Sequence, residues 1–173
     1  MITIIAGTNR PNSNSLKLAH YYQRQLLSRD VTADVLSLCD LPDNFITADM
    51  YGKRSEAFAP IQERISMTEK FIFVIPEYNG SFPGILKTFV DACHFPESFF
   101  EKKAALVGHS TGKYGNIRGI DHFTGVCHYI RLNVLPLRIH IPSIRQELDE
   151  QGNLFKEDTV RFTNEQIEGF IRF

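Results

Sequence analysis

The sequence predicts an α/β fold in three layers, a parallel sheet between two sets of helices, and two observations carry that prediction. Five short runs rich in β-branched and aromatic residues, at 2–6, 31–38, 71–75, 104–107 and 134–141, read as strands buried on both faces. Between them apolar residues recur at helical spacing. Strand 2–6 is followed by Leu16, Leu18, Ala19, Tyr22, Leu26 and Leu27, and Ile61, Ile65 and Met67 precede the third strand. Ile85, Leu86, Phe89, Val90 and Ala92 follow the third strand, and Ile120, Phe123, Val126 and Ile130 follow the fourth. Ile167, Phe170 and Ile171 close the chain. A crossover between parallel strands needs a helix-length, right-handed connection, so this alternation implies a parallel sheet covered on both faces. Residues 40–59, with Pro42, Asp43 and Asn44, and the charged stretch 143–163 fit neither pattern and read as excursions.

Five strands suit the flavodoxin-like order 2-1-3-4-5, in which a crevice opens at the C-terminal ends of strands one and three. Function is expected in those loops. The 173 residues are the size of one compact domain, taken as 1–173, with 43% hydrophobic and 23% charged residues as in ordinary globular chains. Nineteen basic against twenty acidic residues leave a net charge of −1, which offers no broad field for nucleic acid or an anionic bilayer. A small molecule is the expected partner. Cys39, Cys93 and Cys127 form no CxxC, and the opening apolar run is too short for a signal or membrane segment. A reducing cytoplasm is the expected location.

The loop after strand one, Gly7-Thr8-Asn9-Arg10-Pro11-Asn12-Ser13-Asn14-Ser15, is dense in hydroxyls and amides and ends where a helix begins. Free N–H groups at that helix end favour an anion; Thr8, Ser13 and Ser15 can donate hydroxyl hydrogens, and Arg10 adds a fixed charge. Without GxGxxG or a terminal Gly-Lys-Ser/Thr, the loop points to a mononucleotide phosphate and away from a dinucleotide or nucleoside triphosphate. The alternative is a simple turn at Pro11-Asn12 with Ser13 or Asn14 as helix cap.

The loop after strand three, Pro76-Glu77-Tyr78-Asn79-Gly80-Ser81-Phe82-Pro83-Gly84-Ile85-Leu86-Lys87, should stand beside the first. Glycines let backbone approach a flat ligand, Tyr78 offers an aromatic face, and Asn79 both donor and acceptor. Glu77 also reads as a solvated charge at a strand end, and Lys87 as a surface residue. Together the two loops resemble the NADPH-dependent FMN reductase family, with its early G-S-x-R-x-x-S and later P-E-Y-N-x-S-x-P-x-x-L-K segments. The resemblance spans nearly the whole chain and implies FMN and NADPH as cofactors. It also implies a small acceptor such as a flavin or quinone, and a homodimer or homotetramer. It places Thr8, Arg10, Ser13, Asn14 and Ser15 at the FMN phosphate, and Pro76, Glu77, Tyr78, Asn79 and Gly80 along the isoalloxazine. From the loop 108–116 it adds Ser110 and Gly112 on the flavin's far side; His109, Thr111 and Lys113 depart from the family there.

Two other readings compete. Gly108-His109-Ser110-Thr111-Gly112 matches GxSxG, the nucleophile elbow of serine hydrolases, with Asp121 and His128 or His140 as partners of Ser110. An electron-carrying flavodoxin would need no NADPH, but such carriers are usually strongly acidic, and this chain is nearly neutral. A magnesium-binding receiver domain lacks its acidic cluster here.

Overall fold

The computed structural model describes residues 1–51 and 55–173; residues 52–54, within the stretch read as the first excursion, lie outside the described residues. Strands β1 (Ile2–Ala6), β2 (Asp34–Ser37), β3 (Lys70–Pro76) and β4 (Lys103–His109) pair in parallel in the order β2-β1-β3-β4. The fifth position is filled by two short strands, β5 (Asn133–Val134) and β6 (Ile139–Ile141), both parallel to β4. The sheet thus has the expected order 2-1-3-4-5 with one correction: the single strand expected at 134–141 is broken. Pro136 is the physical reason, since proline lacks the N–H that a ladder position must supply. Four residues, 135–138, run opposite only Ala105 and Leu106 before pairing resumes at Val107 and Ile139.

Helices α1 (Asn14–Leu27) and α6 (Glu157–Arg172) cover one face of the sheet. Leu18, Tyr22 and Leu26 of α1, with Ile167 and Phe170 of α6, are fully buried there against Ile4, Ile72 and Ala105. The other face carries the short α2 (Phe45–Ala48), α3 (Ala59–Met67), α4 (Gly84–Ala92) and α5 (Ile117–Tyr129). There Ile65, Leu86, Phe89, Ile120 and Phe123 pack on Ile5, Phe71, Phe73 and Leu106. Strand residues alternate between the two cores, as the period of two requires. Phe73 meets Phe123 edge-on at 5.0 Å between centroids, which locks α5 to the middle of the sheet. α6 starts inside the stretch read as the second excursion. Its first turns are charged on the solvent side, so apolar spacing alone places its beginning too late. Among the described residues, no helix is long and apolar enough to cross a membrane.

The break in the fifth position exposes backbone carbonyls, and one buried side chain satisfies them. Gln166 on α6 donates from Nε2 to Leu106 O at 3.0 Å and to Leu137 O at 2.9 Å, while its Oε1 accepts the Tyr22 hydroxyl at 2.9 Å. This amide ties both helices of one layer to the interrupted edge. Gln166→Leu leaves three polar groups without partners, two of them buried and each of those costing about 1 kcal/mol or more. A loss of about 2–4 kcal/mol in unfolding free energy is expected in urea titrations.

Candidate functional site

At the C-terminal edge of the sheet, β1 ends and the chain turns at once: Gly7 N donates to Val74 O at 2.9 Å, and Thr8 N to Ala6 O at 2.8 Å. The loop then reaches α1 through Ser13, an extended N-cap whose hydroxyl oxygen accepts from Leu16 N at 3.2 Å. That leaves the Ser13 hydroxyl proton free to donate elsewhere. The N–H groups of Asn14 and Ser15, first in α1, precede any carbonyl that could accept them within the helix. Thr8, Ser13 and Ser15 are all buried, so these donors are held in place and not solvated.

The loop after β3 folds back on itself. Tyr78 and Ser81 exchange backbone hydrogen bonds of 2.9 and 3.0 Å around Asn79 (φ 51°) and Gly80 (φ 77°), the double positive-φ pattern of a type I′ turn. Asn-Gly is the pair that adopts it with least strain, and an added Cβ on Gly80 meets nothing, so the demand there is conformational. The Tyr78 hydroxyl lies 2.7 Å from Thr8 Oγ1, 70 residues away in sequence, and the Arg10 guanidinium sits 5.3 Å from the Tyr78 ring centroid. Tyr78 therefore braces the first loop, and Arg10 covers a face of its ring. Glu77 is likewise engaged: its N–H donates to His109 O at 2.9 Å, and Oε2 accepts from Asn116 N at 3.1 Å, beside the start of α5. Its reading as a merely solvated charge is corrected by that bond. Lys87 pairs with Asp91 at 2.6 Å on the outer surface of α4, as expected of a surface residue.

The loop after β4 is organised from within. Ser110 Oγ donates to Gly112 O and accepts from Gly115 N, each at 3.0 Å. Asp121 is paired with Arg138 at 2.7 Å, and α5 begins only at Ile117. No strand-to-helix elbow is formed, so the GxSxG match is a coincidence of sequence. Gly115, at φ 57°, would bring a Cβ to 2.7 Å from Ile141 N; only glycine lets this loop press against β6. His109, 4% exposed, has Nε2 2.8 Å from Ser15 Oγ, and burial pushes its pKa down to about 4, so it is neutral at physiological pH.

A fourth segment completes the edge. Ser143, in the left-handed region at φ 48°, donates its N–H to Gly112 O, and Ile144 N donates to Ser110 O, both at 2.9 Å. This ties the segment to the third loop and brings Ile144 and Arg145 to a cavity shared with the first loop. One cavity of about 240 Å³ results, lined from the first loop by Thr8, Arg10, Ser13, Asn14 and Ser15 and also by Asn12, which reads in the sequence only as part of a turn. Pro76, Glu77 and Tyr78 line it from the second loop, His109, Ser110 and Thr111 from the third, and Ile144 and Arg145 from the fourth. Asn79 and Gly80, at the tip of the type I′ turn, and Gly112, whose carbonyl anchors the fourth segment, are not among its lining residues. Arg145 has no signal in the sequence, because its place depends on the broken fifth position and the turn at Ser143. His109, one of the departures from the family in this loop, lies against Ser15.

The donor set fits a phosphate monoester. Three buried hydroxyls and two free helix N–H groups converge, and two arginines stand at the rim. Comparisons with known proteins give the family. The chain is 27% identical to a 2-hydroxy-1,4-benzoquinone reductase of a Burkholderia species, over 93% of this chain and 88% of that one. It is 24% identical to an FMN-dependent NADPH-azoreductase of Staphylococcus aureus, over 97% and 93%. Its fold matches the FerB flavoenzyme NAD(P)H:(acceptor) oxidoreductase of Paracoccus denitrificans with a TM-score of 0.82 at 21% identity, over 99% and 94%. Residues 1–145 match the family described as NADPH-dependent FMN reductase. With that match over most of its length, the chain belongs to the NADPH-dependent FMN reductase family and is an FMN- and NADPH-using oxidoreductase.

Proposed function

We propose that the 240 Å³ cavity seats the FMN phosphate and that electrons from NADPH leave through the flavin to a small planar acceptor, a quinone or a second flavin. The observation that carries this reading is the convergence of four loops on one cavity with buried hydroxyls at its helix end. The benzoquinone and azo-dye reductases among the relatives support an acceptor of flat, conjugated chemistry. Thr8, Ser13, Ser15 and the N–H groups of Asn14 and Ser15 would hold the phosphate, with Arg10 and Arg145 at its open side. Pro76 and the Glu77 backbone would wall the ring, and the turn at Asn79 and Gly80 would border its outer edge. The chemistry that FMN supplies when bound is two-electron transfer between nicotinamide and acceptor.

No protein acid or base is assigned. Glu77 is committed to Asn116 N and His109 to Ser15, so the protein's share is to orient and to exclude water. For the nicotinamide donor we favour the adjoining cleft of about 280 Å³ between Glu77, Tyr114, Ile117 and Arg118. Tyr114 is 70% exposed there, an aromatic face open to a stacking ligand. The same reading takes the protein to be a cytoplasmic homodimer or homotetramer acting on small molecules, with bare aromatics such as Phe95 and Tyr129 as candidate contacts. Light scattering of the purified protein measures that state directly.

Purified protein given FMN and then NADPH without oxygen should bind the flavin and bleach its visible absorption; flavin that stays yellow overturns the reading. Reoxidation by a benzoquinone, an azo dye or free FMN then ranks the acceptors. Arg118→Ala is expected to raise KM for NADPH about tenfold and leave KM for NADH unchanged, the mark of a lost contact to the 2′-phosphate. His109 gives an acid signature. Its folded pKa of about 4 lies below the ordinary value near 6.5, so the unfolded chain binds the proton first. Stability on its account is complete above about pH 6.5 and is lost as pH falls towards 4, by up to about 3 kcal/mol. On acidification through that window the urea midpoint should therefore fall further for wild type than for His109→Gln, which has no imidazole to protonate.

A further inference from the structure

The cavity holds one imidazole that no step above requires, and its surroundings give it a task. His109 is the last residue of β4 and is 4% exposed; Nε2 lies 2.8 Å from Ser15 Oγ, and Nδ1 is buried without a hydrogen-bond partner. A neutral imidazole carries one N–H, so two tautomers are possible, and they have opposite consequences for Ser15. With the proton on Nδ1, a buried N–H is orphaned, and the Ser15 hydroxyl must spend its own proton on the Nε2 lone pair. Ser15 would then present only lone pairs to the cavity, the wrong polarity for a phosphate. With the proton on Nε2, the ring donates to Ser15 Oγ and the hydroxyl proton is free to point into the cavity. The atom left unpaired is then an acceptor, the less costly and commoner of the two orphans. The alternative for a serine in the first turn of a helix is to turn its proton onto nearby backbone, and the donation from His109 works against it by occupying the oxygen on the sheet side.

We propose that His109 is a positioning residue for the cofactor phosphate: as the Nε2–H tautomer it donates to Ser15 Oγ and directs the Ser15 hydroxyl proton at a phosphate oxygen. The inference rests on the reading of this cavity as the phosphate site. It explains why a histidine stands at the end of the fourth strand facing the phosphate end and not the ring. The donor pair is a short polarised chain, imidazole N–H to hydroxyl to anion, in which each hydrogen bond strengthens the next.

FMN and riboflavin differ only in the phosphate, so titrating both by quenching of flavin fluorescence isolates this role. His109→Phe fills the ring's space without the donor, and it is expected to weaken FMN about tenfold while leaving riboflavin unchanged. Ser15→Ala should give the same loss, and the double variant should be no weaker than either single one, since both remove one chain of bonds. His109→Gln, whose amide nitrogen can stand where Nε2 does, should recover most of the affinity. Nitrogen-15 spectra of the ligand-free protein at neutral pH should show His109 as the Nε2–H tautomer. Equal weakening of FMN and riboflavin by His109→Phe, additive losses in the double variant, or the Nδ1–H tautomer would each overturn the proposal. A wild-type protein with no preference for FMN over riboflavin would instead overturn the phosphate-site reading, and the tautomer would still judge the His109–Ser15 contact by itself.

Discussion

Everything at the functional edge depends on a backbone ladder that continues past the ends of the strands. Gly7 donates to Val74, Glu77 to His109, Ser110 to Ile141 and Ser143 to Gly112, all within 2.9–3.0 Å. Buried backbone groups must be paired, and these bonds pair the first residues of each loop with the neighbouring strand or loop. Four loops therefore leave the sheet at one level and in one direction. Parallel register does the rest: Ala6 stands opposite Val74, and Pro76 opposite His109. Residues 70 and 94 positions apart come within hydrogen-bond distance as a result.

Much of this was legible in the sequence, and the boundary of legibility has a physical cause. Strands β1, β3 and β4 are buried on both faces, so their runs are apolar but for the β-branched Thr3, and reading them places each within one or two residues of its observed ends. The Ser13 cap follows from local chemistry, because it is decided by its own few residues; the Asn79-Gly80 turn is equally local, but in the sequence those residues read as ligand contacts and not as a turn. What failed was set by partners distant in sequence, apart from the break at Pro136, a local signal inside a run read as one strand. Pro136 splits the fifth strand, and the carbonyls so freed find Gln166, which an apolar pattern cannot flag. The charged stretch 143–163 appeared to be an excursion, yet it delivers Ile144 and Arg145 to the cavity. The His109 contact with Ser15 requires the register of β1, β3 and β4 to be known first.

The cavity also shows two kinds of recognition with different physical costs. Arg10 and Arg145 are exposed at the rim, where water and salt screen their charges. Thr8, Ser13 and Ser15 are buried and neutral, and no ion must be desolvated to keep them there. A protonated His109 would have added a buried cation at some cost, and burial keeps it neutral instead. The interior thus presents only dipoles, held in place by the bond from Leu16 N to Ser13, by the Thr8–Tyr78 hydroxyl pair and by the His109–Ser15 contact. An anion entering from the rim meets donors that are already aimed and have little to reorganise. On the proposed reading, selectivity for a phosphate would come from neutral groups fixed in place, with the arginines adding a screened attraction at the rim. A nearly neutral protein can hold an anionic cofactor on these terms without carrying a basic surface.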